Sequence, residues 1–211
     1  MNEARNQLLL RGTAVGEPVF SHENHGHKFY QFPFSIQRLS GQTDTLQVIT
    51  SAQQLAHLLP LSGQRLSIEG QLRSFNNKSG NGSRLVISVF PRLIVPTADD
   101  DFNEIQLSGV LCKPPTFRRT PLGRCICDMM LAVNRRYGRA DYLPCIAWGQ
   151  VAVFTGSLDV GSPLALEGRV QSRLYTKVID GNATERTAFE VSIMQLLTEN
   201  DPLESSAAIS L

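Results

Sequence analysis

Residues 164–175 alternate cleanly. Leu164, Leu166, Gly168, Val170, Ser172 and Leu174 fall on one side of an extended chain; Glu167, Arg169, Gln171, Arg173 and Tyr175 fall on the other. A period of two is that of a β-strand with one buried face. Similar runs recur along the chain. In the first half they predict strands at 7–15, 29–37, 45–50, 64–75 and 84–95. Polar or glycine-rich turns separate them at 21–27, 40–42 and 76–83. The one helical signal is Ser51-Ala52-Gln53-Gln54, a capping-box pattern opening a helix that reaches Leu59, with Gly63 ending the connection.

The same order returns in the second half. Leu107-Ser108-Gly109 answers Leu10-Arg11-Gly12 at a spacing of 97 residues, and Glu167-Gly168-Arg169-Val170 answers Glu69-Gly70-Gln71-Leu72 at 98. A near-constant spacing over most of each half signals duplication. The expected layout is a first unit at 1–96, an acidic linker at 97–102 with Asp99, Asp100 and Asp101, a second unit at 103–198, and a tail at 199–211. Each unit reads strand, strand, strand, helix, strand, strand. That order and size suit the five-stranded Greek-key barrel called the OB-fold. A β-sandwich of similar strand count is the alternative, and the single helix at one place in both halves favours the barrel. The expected fold class is therefore all-β with short helices, as two tandem OB-fold barrels.

Candidate chemistry concentrates at 131–152, which reads as strand, basic turn, strand and the start of a helix. Three of the chain's five Tyr and Trp residues lie there: Tyr137, Tyr142 and Trp148, interleaved with Arg135, Arg136 and Arg139. Tyr142 and Trp148 are six apart, so on a strand they share a face. Aromatic faces beside cations suit single-stranded nucleic acid, whose bases stack and whose phosphates attract positive charge. Trp148 stands directly before the helix, where packing as core is the alternative. Lys113, Arg118, Arg119, Arg169 and Arg173, with Arg73 in the first half, complete the candidate phosphate contacts. For each of them the bland reading is a solvated surface charge.

Charge changes the picture little. The net charge of +1 gives no bulk polycation, but acids collect in the linker and tail. Residues 2–95 carry nine basic and five acidic side chains, and residues 103–197 eleven and eight. Mildly basic folded parts fit a polyanion partner.

Four ordered motifs carry a resemblance. They are Leu107-Ser108-Gly109, Thr120-Pro121-Leu122-Gly123, Leu131-Ala132-Val133-Asn134-Arg135-Arg136, and Val160-Gly161 leading to Glu167-Gly168-Arg169. Through them residues 103–197 resemble the DNA-binding domain of bacterial single-stranded DNA-binding proteins. The first half resembles it more faintly, through Leu10-Arg11-Gly12 and Glu69-Gly70-Gln71-Leu72-Arg73. The tandem arrangement is similar to family members that carry two OB-folds per chain and pair into dimers with four. The resemblance implies four base-stacking positions, which fall on Tyr137, Tyr142, Trp148 and Tyr175. In the first half it places them on Gly41, Leu46, Ser51 and Phe75, so only Phe75 is aromatic. It implies a second unit that does most of the stacking and a first that is partly structural. The acidic-then-aromatic tip with which the family recruits partners is matched only internally, at Asp99-Asp100-Asp101-Phe102.

Other classes are disfavoured. Cys112, Cys125, Cys127 and Cys145 contain no Cys-x-x-Cys pair and read as reduced core thiols, not a zinc knuckle. His22, His25 and His27 share a polar turn and read as solvated, so no metal and no cofactor is expected. No nucleophile–base set, Walker loop or carboxylate pair stands out, which argues against an enzyme. No apolar run approaches a membrane span and no signal-peptide layout opens the chain, which gives a cytoplasmic protein without membrane contact. The expected function is non-catalytic, largely sequence-independent binding of single-stranded DNA in replication, recombination or repair. The expected partners are DNA, a second copy in a homodimer, and replication or repair proteins. The alternatives are an OB-fold adaptor in replication restart, in which the aromatics meet protein, and single-stranded RNA binding, since stacking ignores the sugar.

Overall fold

Leu8, Leu10 and Ala14 turn inward on the first strand, and the chain closes around them. The computed structural model describes residues 5–77, 84–179 and 182–197, and gives the backbone alone at positions 136, 177–179, 182, 184 and 186. The expected hairpin tip at 78–83 and the tail at 199–211 lie outside the described residues. The first half forms β1 (Asn6–Ala14), β2 (Val19–Asn24), β3 (His27–Gln37), β4 (Thr43–Ser51), α1 (Ala52–Leu55), β5 (Arg65–Asn76) and β6 (Leu85–Pro96). The second forms β7 (Phe102–Leu111), β8 (Thr116–Arg119), β9 (Cys125–Asn134), a 3₁₀ turn at Arg136–Gly138, β10 (Ala140–Trp148), α2 (Gly149–Thr155), β11 (Pro163–Ile179) and β12 (Asn182–Leu196).

Each half is a closed barrel. β1 pairs with β5 along most of its length and bends at its end to pair with β3; β4 and β6 complete the ring through a short parallel contact at Val48 and Val89. β7, β9, β10, β12 and β11 repeat that circuit. Closure of one sheet on itself, with a helix after the third barrel strand, is the OB-fold and excludes the sandwich. The repeated glycines explain how the ring closes. A Cβ on Gly12 would lie 2.3 Å from the Ser35 carbonyl oxygen, and one on Gly109 would lie 2.4 Å from that of Ala132. Only glycine lets β1 and β7 cross so near the next strand.

Four expectations change. The polar segment 21–27 is mostly strand, because His25 and Gly26 (φ 50° and 76°) make a two-residue turn that pairs β2 with β3. The helix capped by Ser51 stops at Leu55, four residues short of the expected Leu59, which precedes Pro60 and is therefore biased away from helical geometry. Leu174 is 64% exposed, not core-facing, because the long β11–β12 hairpin runs on past the barrel. Finally, the acidic linker is anchored to the first barrel, although Asp99 and Asp100 remain exposed. Asp101 pairs with Arg65 at 2.8 Å, Asp99 with Arg11 at 3.5 Å, and Phe102 lies under the Arg11 guanidinium at 5.1 Å.

The barrels are joined by an antiparallel β1–β7 ladder in which Leu8 faces Ile105. Those two residues are 97 apart, so they are each other's repeat equivalents. Asn6 opposite Leu107 mirrors Leu10 opposite Asn103. A local two-fold axis therefore passes through the Leu8–Ile105 pair. Equivalent contacts obey it. Asn6 bridges Leu72 by a donated bond of 2.8 Å and an accepted one of 2.9 Å, and Asn103 bridges Val170 at 2.7 and 2.9 Å.

Two buried carboxylates then lock one barrel to the other. Asp44 of the first accepts bonds from Arg38 (Nε, 2.6 Å) and from the backbone N–H and hydroxyl of Ser172 in the second (2.7 and 2.9 Å). Asp141 of the second accepts from Arg135 (Nε, 2.5 Å) and from the backbone N–H of Ser74 in the first (2.5 Å). Both side chains are fully buried. Burial alone would push the Asp44 carboxyl up, but the bonds from Arg38 and Ser172 outweigh it and hold the group below the usual carboxylate range. A lowered native pKa stabilises the fold above the unfolded value, near pH 4, and that contribution is lost as pH falls through the native value. Asp44→Asn is thus expected to flatten the fall in stability below about pH 4, measured by urea unfolding across pH. Asp141→Ala is expected to cost about 3–5 kcal/mol at pH 7, because it removes the buried carboxylate that holds the half-buried Arg135 and the Ser74 N–H. An unchanged midpoint would refute the lock.

Candidate nucleic-acid interface

The outward side chains of β8, β9, β10, β12 and β11 make one face of mixed character on the second barrel, in which Ile126 and Ile146 are buried beneath their neighbours. Asp141, Leu143, Cys145 and Ala147 point inward from β10 and are buried. Tyr142, Pro144, Ile146 and Trp148 therefore point outward, as the alternation predicts. Tyr142 is 47% and Trp148 41% exposed. Six residues of strand place them about 20 Å apart. Trp148 ends β10 directly before α2 without packing into the core.

Tyr137 stands apart at the tip of the basic turn, 97% exposed, with a left-handed backbone (φ 64°, ψ 34°). That region costs a bulky residue about 1 kcal/mol or more. Arg139 is exposed beside it. The side chain of Arg136 lies outside the described residues. Tyr175 is half-buried far along β11.

The expected cations divide into three groups. Lys113, Arg119 and Arg139 are exposed. Arg118 and Arg173 are accessible but paired, with Asp128 at 2.8 Å and Glu190 at 3.6 Å. Arg169 is half-buried, and among the described residues its Nε is buried without a hydrogen-bond partner. Arg135 and Arg73 depart from the expected phosphate role. Arg135 is held by Asp141 and donates to the Ser74 carbonyl at 3.0 Å. Arg73 lies 3.7 Å from Asp141, and burial together with the nearby Arg135 pushes its guanidinium down from its ordinary value. Both serve the joint between barrels, and no local sequence signal marks that, because Arg73 reaches Asp141, and Arg135 reaches the Ser74 carbonyl, across it.

The structure also corrects the repeat register. Arg38 and Asp44 match Arg135 and Asp141 at 97, and Ser74 matches Ser172 at 98. Phe75 is therefore the counterpart of Arg173, not of Tyr175. The places matching Tyr137, Tyr142, Trp148 and Tyr175 are Ser40, Thr45, Ser51 and Asn77. Phe75 nonetheless reaches the interface. Tyr142 donates its backbone N–H to the Ser74 hydroxyl at 2.7 Å, so the chain at Phe75, whose side chain is 47% exposed, runs next to Tyr142 at the joint.

The sequence pattern missed three rings on the first barrel. His22 stacks on Phe29 with centroids 4.9 Å apart, Phe29 lies 5.9 Å from Phe90, and the Arg73 guanidinium lies 5.8 Å over Phe90. Phe29 was detectable by parity: it is an odd position, whereas Phe32, Phe34 and Ile36 face inward.

The remaining expected chemistry is bland. All four cysteines are free; burial pushes the Cys145 thiol up to about 12 and raises that of Cys127. Among the described residues no cluster of His, Cys, Asp or Glu could hold a metal, and no helix is long and apolar enough to cross a membrane.

Residues 102–197 match the model of the single-strand binding protein family. Single-stranded DNA-binding protein 2 of Listeria innocua is 30% identical over 113 residues, covering 50% of this chain and 70% of that protein. Single-stranded DNA-binding protein B of Bacillus subtilis is 36% identical over 81 residues, covering 35% of this chain and 72% of that one. The crystal structure of the wild-type single-stranded DNA binding protein from Thermus aquaticus superposes with a TM-score of 0.74 over 99% of this chain and all of that one; at 22% identity it shows the shared tandem fold. The chain belongs to the single-strand binding protein family.

Proposed function

We propose that this protein binds single-stranded DNA without catalysis and largely without sequence preference, in DNA replication, recombination or repair. One observation carries the reading. Tyr142 and Trp148 project from one outward face, flanked by Arg118, Arg169 and Arg173, and the barrel joint brings Phe75 alongside. Bases would stack on the rings and phosphates would displace counterions at the cations. Arg169 supports this, because a guanidinium Nε buried without a partner is completed by an incoming acceptor. The four free thiols fit a cytoplasmic setting.

Trp148 is the only tryptophan, so titration with oligo(dT) reads the face directly. Quenching with a mobility shift is expected; neither would favour a protein-binding role, and preference for oligo(U) would favour RNA. Replacing Tyr142 and Tyr175 together with Ala is expected to weaken oligo(dT) binding by about 2–5 kcal/mol at constant salt while leaving the unfolding midpoint in place. Tyr137 separates function from stability. Tyr137→Asn suits the left-handed turn and is expected to stabilise by up to about 1 kcal/mol while weakening binding. Unchanged binding would remove Tyr137 from the interface.

A homodimer presenting four barrels is the second part of the proposal. The β1–β7 ladder already covers one edge of each barrel, so open edges are a weak motive for pairing. The stronger one is the apolar end of β6, where Leu93 and Val95 are exposed on the side of Phe90 away from Phe75. Light scattering at micromolar concentration is expected to give twice the 23.3 kDa chain mass. A single-chain mass, unchanged by oligonucleotide, would rule the dimer out.

A further inference from the structure

The first barrel has no aromatic at any of the four places where the second carries one, yet its outer face holds a run of rings. The rows of the two barrels explain how. On the second barrel Trp148 lies opposite Ile126 across the β9–β10 ladder. The equivalent pair on the first is Ser51 opposite Phe29. The ring has moved one strand sideways within the same row. One strand further out, His22 lies opposite Phe29 where Arg118 lies opposite Ile126. On the far side Phe90 lies opposite Gln71 where Ser192 lies opposite Arg169.

These rings are not core. Phe29 points away from Phe32 and Phe34, and Phe90 points away from Ile87 and Val89. His22 is exposed, and Phe29 and Phe90 are half-exposed. Arg73 supplies a cation over Phe90, and Phe75, two residues further along β5, stands exposed at the joint beside Tyr142. The run therefore leads from the edge strand β2, across the first barrel, to the aromatic face of the second.

We propose that His22, Phe29 and Phe90, with Arg73 and Phe75, form a second track for single-stranded DNA on the first barrel. The proposal rests on the DNA-binding reading above and extends it to a set of positions unlike those of the second barrel. Three features select a nucleic-acid strand as occupant. The run itself is made of rings, His22 stacked on Phe29 and Phe29 tilted against Phe90, and every base offers a π-face. The Arg73 guanidinium, held 3.7 Å from Asp141, lies over Phe90 within the run and leaves a cation beside the ring on which a base would stack. The track is also continuous with the Tyr142–Trp148 face, so one strand can follow both barrels.

The test uses the full chain and two variants. In the first, Phe29→Leu with Phe90→Leu keeps apolar bulk but removes the stacking faces. Binding of an oligo(dT) long enough to cover both barrels is expected to weaken about tenfold or more, while quenching of Trp148 by a short oligo(dT) stays as in the parent. In the second, Trp148→Phe with Phe29→Trp makes the new tryptophan the sole reporter, and long oligo(dT) is expected to quench it. Parent-like affinity in the leucine variant, or an unquenched reporter in a protein that still shifts oligo(dT), overturns the track and leaves the DNA-binding reading standing. A parent chain that neither shifts nor quenches overturns both. Should the leucine variant fail to fold, the reporter decides alone.

Discussion

The β1–β7 ladder is the constraint on which the rest depends. Because Leu8 faces its own repeat equivalent, Ile105, the two barrels are related by a local two-fold axis and not by an arbitrary hinge. Everything non-local follows from that placement. Ser172 meets Asp44 and Ser74 meets Asp141 only because the axis brings each fourth barrel strand to the other barrel's third. The same crossing carries Ser74, next to Phe75, to Tyr142 on one side and Ser172, next to Arg173, to Asp44 on the other. One joint is aromatic and its mirror image is not, so the duplicated frame already presents an asymmetric surface.

Asp44 and Asp141 show why the joint is specific as well as strong. Burying a carboxylate is unfavourable unless its lone pairs are filled. Each is filled by a guanidinium from its own barrel and by a backbone N–H from the other, so neither barrel can satisfy its own aspartate. A purely apolar seam would tolerate sliding by a residue or a few degrees. A buried carboxylate with fixed donors does not, since slippage leaves charge unpaired in a dry site. The geometry of the outer faces, and the spacing of rings across them, is thereby fixed to the scaffold.

Most of the fold was legible in the sequence, for a definite reason. Strand period, turn residues and a 97–98-residue repeat are local or additive signals, and the two glycine motifs mark places where a Cβ would strike a carbonyl oxygen. The site was legible only in part. Exposure of Tyr142 and Trp148 followed from alternation. The pairing of Arg135 and Arg73 at the joint did not, because it depends on Asp141 and Ser74 meeting across two barrels. Pairing Phe75 with Tyr175 matched ring to ring at a spacing of 100, against a register of 98 that the serines fix. Chemical likeness misled where constant spacing would have guided.

That error conceals the more general point about how the halves differ. The frame residues Asn6, Gly12, Arg38, Asp44 and Ser74 repeat as Asn103, Gly109, Arg135, Asp141 and Ser172, identical in type, because each makes a directional contact that admits little change. The rings do not repeat by position. Stacking on a base needs a π-face in the right row of a sheet, and adjacent strands lie only about 4.8 Å apart. A ring on β3 can therefore do what a ring on β10 does in the other barrel, one strand aside. Counting aromatics at equivalent positions makes the first barrel look stripped. Counting them by row makes it a barrel whose stacking surface has been redrawn on an unchanged frame.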